Sequence, residues 1–165
     1  MEAIRDRTIR YLQDLHAAEK MTLDILDKLA DDAEAVSGLR LTAGEAAKEC
    51  TNRMQTISAR VQALGGSLSG MKDFANSALG VLSDIFNSGH DRADKITMDA
   101  IKAHAALHLV HGSCCALKSY AGSTGDPETA AIADRHCTES KNAAERLISG
   151  IEASAVQSVA IPSVT

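Results

Sequence analysis

The sequence predicts an all-helical fold, four long helices packed as a bundle with a long connection between the second and third. Three observations predict it. Of 165 residues, 45% are hydrophobic but only 2% are aromatic and none is Trp, so the core must be built from Ala, Leu, Ile, Val and Met. Such side chains let helices approach closely, whereas β-sandwiches draw on aromatic and β-branched residues. Apolar residues also recur at helical spacing through four long stretches, and the breaks between them run short, long, short. A chain of this length makes one domain, with enough burial for a core without disulfides.

The first helix runs from Ala3 to about Ala35, without Gly or Pro, on a stripe of Leu12, Leu15, Leu23, Leu26 and Ala30. Val36, Ser37 and Gly38 break the pattern. The second stripe, Ala43, Ala47, Cys50, Met54, Ile57, Val61 and Leu64, stops at Gly65-Gly66, a glycine stop typical of helix ends. A short turn between two long helices makes them antiparallel. Residues 67 to 90 differ: Gly70, Gly80 and Gly89 bracket the apolar stretch MKDFANSALGVLSDIF, which is expected to form a crossover with one or two short helices. Its Met71, Phe74, Leu79, Val81, Leu82, Ile85 and Phe86 are too apolar for a solvated loop, which predicts self-association into a dimer. A third helix is expected from about Arg92 to Tyr120, then a loop in which Asp126 suits an N-cap and Pro127 the first helical turn. The fourth helix carries Ile132, Ala133, Ala144, Leu147 and Ile151 to about Ser154. The expected boundaries are thus a bundle at 1–154 and a C-terminal tail at 155–165. Short outer connections with a long middle crossover are the ferritin-like arrangement, because the crossover must travel the length of the bundle.

Charge narrows the function classes. The formal net charge is −5, and Lys and Arg are scattered among acids, so no nucleic acid is expected as partner. No secretory signal or membrane-spanning run is present, so no membrane association is expected and a cytoplasmic location follows. Cys50, Cys114, Cys115 and Cys137 show no CxxC spacing and read most simply as small buried hydrophobes.

Metal sites in such bundles need Glu and His projecting inward at one level, so inward polar residues are the test. Glu19 falls inside the first stripe, between Leu15 and Leu23, and a buried carboxylate needs a metal, a cation or a hydrogen-bond donor. His104, His108 and His111 stand at i, i+4 and i+7, with Ile101 and Cys115 continuing their face. Lys95, Asp99, Lys102 and Ser113 fall opposite, which predicts that the histidines face inward, as metal ligands or as hydrogen-bonded core residues. His136 and Glu139 form an i, i+3 pair on the fourth helix. Counting outward from a turn near Thr124 sets His108 opposite Ser140 and His111 opposite Cys137. Glu49 lies one step off the second stripe with Arg53 at i+4, which an ion pair on the surface explains equally well.

The string YLQDLHAAEKMTLDILDKLADDAE resembles the first helix of the YciE/YciF-like ferritin-like family of bacterial proteins, whose opening reads like L-x-D-L-Y-x-A-E-K. Glu49-Cys50 through VQALGG is similar to that family's second helix, MKDFANSALGVLSDIF to its crossover, His108 to Tyr120 to its third helix and TESKNAAERL to its fourth. The resemblance spans roughly residues 8 to 150. It implies a dimer-prone bundle associated with stress responses, with a dinuclear metal site and no settled activity, and it carries over to Glu19, Glu49, His108 and Glu139. His104, His111 and His136 come from helical geometry. The chain departs from the family pattern at Ala46, where a His tends to precede the second-helix glutamate, and at Leu107 and Val110, where acidic residues tend to flank His108.

The expected function is therefore a ferritin-like, metal-binding, stress-associated bacterial protein and homodimer, with iron, manganese or zinc at Glu19, Glu49, His104, His108, His111, His136 and Glu139. The alternative is a non-catalytic helical interaction module with no ion, its polar core fixing helix register. A di-iron oxygenase would need two ExxH motifs, and the sequence has none.

Overall fold

A computed structural model describes residues 3–34, 36–68 and 94–160. Four helices account for nearly all of them: α1 (Ile4–Asp32), α2 (Ser37–Ala63), α3 (Lys95–Ser123) and α4 (Pro127–Ala160). No strand occurs among the described residues. α1 packs on α2 and α3, and α4 on α2 and α3, so α1 and α4 are diagonal, as are α2 and α3. Lys95 pairs with Asp32, and Tyr120 stacks on Tyr11 with ring centroids 5.0 Å apart. α3 therefore runs antiparallel to α1. α2 ends and α3 begins at opposite ends of the bundle, which is the ferritin-like connectivity. The crossover helices expected from residues 67 to 90, and with them the apolar surface behind the dimer expectation, lie outside the described residues save for Ser67 and Leu68, which are not helical.

Local chemistry sets the helix ends. α2 closes on Gly65 at φ 77°, with the Gly66 amide donating to the Val61 carbonyl at 2.9 Å and the Gly65 amide to Gln62 at 2.9 Å. This pairing satisfies the last carbonyls and needs the left-handed backbone that glycine adopts freely. α3 ends the same way on Gly125 at φ 76°, the Asp126 amide donating to Ala121 at 2.9 Å. Asp126 then caps α4, accepting the Thr129 amide at 3.0 Å and the Thr129 hydroxyl at 2.6 Å. One residue thus stops α3 and starts α4, leaving the hairpin little freedom of register. Arg60 at the end of α2 clamps this turn through Asp126 at 2.7 Å, the Thr129 hydroxyl at 2.8 Å and Glu128. α4 continues to Ala160, past the expected end at Ser154.

The core falls into two apolar clusters. One gathers Leu26, Leu29, Leu39, Ala43, Leu107 and Leu147 at one end of the bundle. The other gathers Leu12, Leu15, Ile57, Val61, Val110 and Leu117 at the other. Buried Glu19, Arg53, His136 and Ser140 lie between them in helix order. Thr8 and Thr22, both buried on α1, satisfy their hydroxyls on the carbonyls one turn back, Ile4 and Ala18.

Burial would raise the Asp126 carboxyl, but the Thr129 hydroxyl and amide and the Arg60 guanidinium outweigh it and hold the group below its ordinary value. A depressed folded-state pKa gives stability that is complete above the unfolded carboxyl's pKa, about 4, and is lost as pH falls through the folded value. Asp126→Ala should therefore destabilise the protein by about 1 kcal/mol, the usual worth of a cap, at pH 7. Urea denaturation across pH should show that difference shrinking below about pH 4.

Candidate functional site

The polar layer at the middle of the bundle is built on a buried ion pair. Glu19 is 0% and Arg53 1% exposed. Arg53 Nε donates to Glu19 Oε1 at 2.5 Å and Nη2 to Oε2 at 3.0 Å, the two-pronged geometry that matches a guanidinium to a carboxylate. Nη2 also lies 3.1 Å from Cys50 Sγ. Burial pushes the Glu19 carboxyl up, opposed by the Arg53 hydrogen bonds. Burial also works against the Arg53 cation, but the Glu19 hydrogen bonds outweigh it and its pKa moves up, so the guanidinium stays charged.

This arrangement bears on a dinuclear centre. Such a centre takes a Glu from each of two helices and a Glu-x-x-His pair from each of the others. At the level of Glu19, the buried i, i+3 positions of α2 are Cys50 and Arg53. A fixed cation already engages both Glu19 oxygens, so the residues at the bundle middle do not fit a dinuclear metal group.

The other expected ligands are dispersed. Glu49 is not paired with Arg53; one residue along the helix from Cys50, it is rotated outward and accepts Arg146 Nη2 on both oxygens at 2.8 Å. Glu139 is 40% exposed, its Oε2 4.0 Å from Arg53 Nη1 and its Oε1 3.9 Å from Arg135. His136 is buried, and burial, with the charges of Arg53 and Arg135, lowers its pKa to about 4, so it is neutral at pH 7. Its Nδ1 and Arg53 Nη1 have no hydrogen-bond partner among the described residues.

The histidines of α3 do not face inward as a set. The buried side of α3 is Asp99, Ala100, Ala103, Ala106, Leu107, Val110, Cys114 and Leu117. The histidine stripe is rotated to the flank, with His104 and His111 half-buried and His108 exposed. Asp99, expected on the solvent side, is buried at 6% exposure. It is neutralised by Lys28, Lys95 and Lys102 at 3.9, 3.6 and 3.4 Å. His104 and His108 meet edge to face with ring centroids 4.6 Å apart, and burial, followed by the His108 charge, lowers the His104 pKa.

The flank also carries the group of donors that comes together. His111, Cys115 and Cys137 offer one ligand atom each within 4.8 Å of one another, the one such group of three among the described residues. His111 and Cys115 stand one turn apart on α3, and the register counted from the turn brings Cys137 of α4 against His111. His111 Nδ1 lies 3.0 Å from the Cys137 carbonyl and 3.3 Å from Cys137 Sγ. A carbonyl can only accept, so Nδ1 carries the proton and Nε2 keeps its lone pair. That lone pair faces Cys115 Sγ at 3.8 Å, and the two sulfurs are 2.9 Å apart. Burial, helped by the Cys115 thiol, pushes Cys137 up to about 11. Cys50 and Cys114 are fully buried, as expected of all four, but Cys115 and Cys137 are only half-buried.

The sequence matches the family described as Domain of unknown function (DUF892) over residues 3–160. No curated protein matches. Among solved structures the chain is similar to a protein from Xanthomonas campestris pv. campestris, with a TM-score of 0.78 and 22% identity over 96% of this chain and 97% of that one. It is similar to the E. coli stress protein YciF, with a TM-score of 0.77 and 19% identity over 95% of this chain and 99% of that one. YcfI from Rhodopseudomonas palustris is a third, at 0.73 and 17% over 89% and 94%. At these identities the likeness is one of fold.

The ion pair makes a prediction of opposite sign for single and double substitution. Arg53→Ala leaves Glu19 buried beside no cation and should cost about 3–5 kcal/mol. Replacing both partners by Glu19→Leu and Arg53→Met should bring stability back to within about 1 kcal/mol of the parent or above it. Urea denaturation of the three proteins checks both outcomes.

Proposed function

The chain belongs to the DUF892 family of YciE/YciF-like proteins, and we propose that it acts as a metal-binding member whose ion sits at the α3–α4 seam. The ligands in this reading are His111 through Nε2 and the Cys115 and Cys137 sulfurs. The observation that carries it is the convergence of these three donors within 4.8 Å, with the second imidazole nitrogen held on a backbone carbonyl 3.0 Å away. Such a carbonyl contact is the usual partner of a metal-bound histidine, because it fixes the tautomer and orients the ring. Two thiolates and an imidazole favour zinc over manganese, which prefers oxygen donors, and a fourth position is left for water or an exposed neighbour. Of the residues named from the sequence, this reading keeps His111 as a ligand and leaves Glu19 to Arg53. Free thiols at the seam suit a reducing compartment, and a cytoplasmic setting is part of this proposal.

YciF is a stress protein of E. coli, and a stress association of this chain enters as part of the proposal, as does self-association. Exposed Leu41, Val156 and Val159 on the described surface add to the apolar crossover that suggested a dimer. The metal-free interaction module is favoured by a different observation, the Glu19–Arg53 pair closing the bundle middle, and it predicts no ion at the seam.

Cobalt(II) separates the two. Added to the reduced protein, it should produce intense tetrahedral d–d bands and a thiolate-to-cobalt charge-transfer band, both bleached by zinc. Cys115→Ser and Cys137→Ser should each remove the charge-transfer band or halve it, and His111→Ala should weaken binding at least about tenfold. Absence of these bands in the parent protein would sink the reading in favour of the interaction module.

A further inference from the structure

We propose that Cys115 and Cys137 are a reversible dithiol–disulfide pair, closed by a hydroperoxide and reopened by a thiol reductant, and that closure strips both sulfur donors from the seam site. The second half, loss of the ion, rests on the metal-binding reading; the first half does not.

The geometry directs oxidation to this pair. The two sulfurs are 2.9 Å apart, so a disulfide of about 2.05 Å requires them to close by less than about 1 Å. They stand on helices whose register the Gly125–Asp126 turn fixes, so the approach belongs to the fold and not to a passing collision. Both residues are half-buried at the seam and a small oxidant reaches them. The other two thiols are excluded. Cys114 adjoins Cys115 in sequence but is 0% exposed in the apolar core, and Cys50 is 0% exposed beside the ion pair. A cysteine with a resolving partner at hand is the arrangement that stops oxidation at the reversible disulfide stage.

The chemistry balances with the hydroperoxide as oxidant. The Cys115 thiol passes its proton to His111 Nε2, 3.8 Å away, and its sulfur takes the terminal peroxide oxygen as the O–O bond breaks. The departing oxygen collects the imidazole proton and leaves as an alcohol, or as water if the oxidant is hydrogen peroxide. Cys137 sulfur then attacks the Cys115 sulfenic acid; the S–S bond forms, the S–O bond breaks, and hydroxide leaves as water with the Cys137 proton. Two thiols lose two electrons to one peroxide.

The full chain, reduced and free of metal, is treated with hydrogen peroxide and analysed by intact mass and peptide mapping. The expected result is a mass lower by about 2 Da, the two thiol hydrogens, with Cys115 and Cys137 cross-linked within one chain and restored by dithiothreitol. Cys50 and Cys114 should remain alkylatable after unfolding. Cys115→Ser and Cys137→Ser, each shown to keep the parent's circular dichroism, should give no intramolecular cross-link. A stable gain of oxygen at either residue, or a bond to Cys50, Cys114 or a second chain, overturns the pair. A parallel sample loaded with zinc should release it to a chromogenic chelator as the disulfide forms; a disulfide that forms while zinc stays bound overturns the release. If the reduced chain takes up no zinc yet the cross-link forms, the metal-binding reading fails and the redox pair stands. If zinc binds and no cross-link forms, the opposite holds.

Discussion

A carboxylate and a guanidinium, taken out of water together at the middle of the bundle, constrain everything around them. Moving either ion alone into an apolar interior costs several kcal/mol even after relaxation, and their attraction offsets this only when the geometry is good. Here it is good: two hydrogen bonds of 2.5 and 3.0 Å join Glu19 to Arg53, with both side chains at most 1% exposed. The pair sets α1 against α2 at one register, since sliding either helix by a turn would bury two separate charges. It also divides the core into two apolar clusters. Its neighbours are neutral first because they are buried: burial, then the Arg53 charge, takes the proton from His136, and burial, then the Glu19 charge, keeps Cys50 a thiol. A second cation at this level would find both Glu19 oxygens already engaged by the guanidinium.

The chain therefore answers the old problem of a buried glutamate with an arginine, where a metal-centred bundle would answer it with an ion. That choice moves the available donor chemistry outward. The three donors that converge lie between α3 and α4, where Ala100, Ala103 and Ala106 fill the buried side of α3 and let it sit close to its neighbours. With that side packed, the histidine stripe turns to the flank, where His111 meets Cys137. A shared fold does not carry a shared site.

The four helices and their order were legible because long apolar stripes at 3.6 spacing admit little else, and the α3–α4 register was legible because Asp126-Pro127 announces where the turn must fall. The rotation of α3 was not. Its sequence is apolar on nearly all sides, with Leu109 exposed and Ile101 half-buried. The charged residues taken to mark the solvent face included Asp99, which three lysines allow to be buried. Arg53 was misplaced for a similar reason. Glu49 four residues before it offered an obvious partner, whereas Glu19 lies 34 residues away, and periodicity along one helix carries no information about charge on another. The signal that was present is positional: Arg53 stands three residues beyond Cys50, inside the buried stripe. The extension of α4 to Ala160 had no stop signal against it, since Gly and Pro are absent from residues 151 to 160.

Two hairpins, each with its own polar lock, make up the described residues. α1 and α2 are held by Glu19 and Arg53; α3 and α4 are held by the short turn of Thr124, Gly125 and Asp126 and meet through an imidazole and two sulfurs. Between the hairpins, ionic contacts run along the bundle, Arg60 with Asp126 at one end, Arg53 with Glu139 and Arg146 with Glu49 further in, and Lys95 with Asp32 at the other end. All three seam donors therefore belong to one hairpin whose register is fixed locally. A ligand or a bond formed there would act first on the α3–α4 contact, and its route to the buried charges on α1 and α2 runs through Glu139, whose carboxylate lies 4.0 Å from Arg53 Nη1. Chemistry at the seam can change while the middle of the bundle stays closed, and this separation is what a site on the flank provides that one in the core could not.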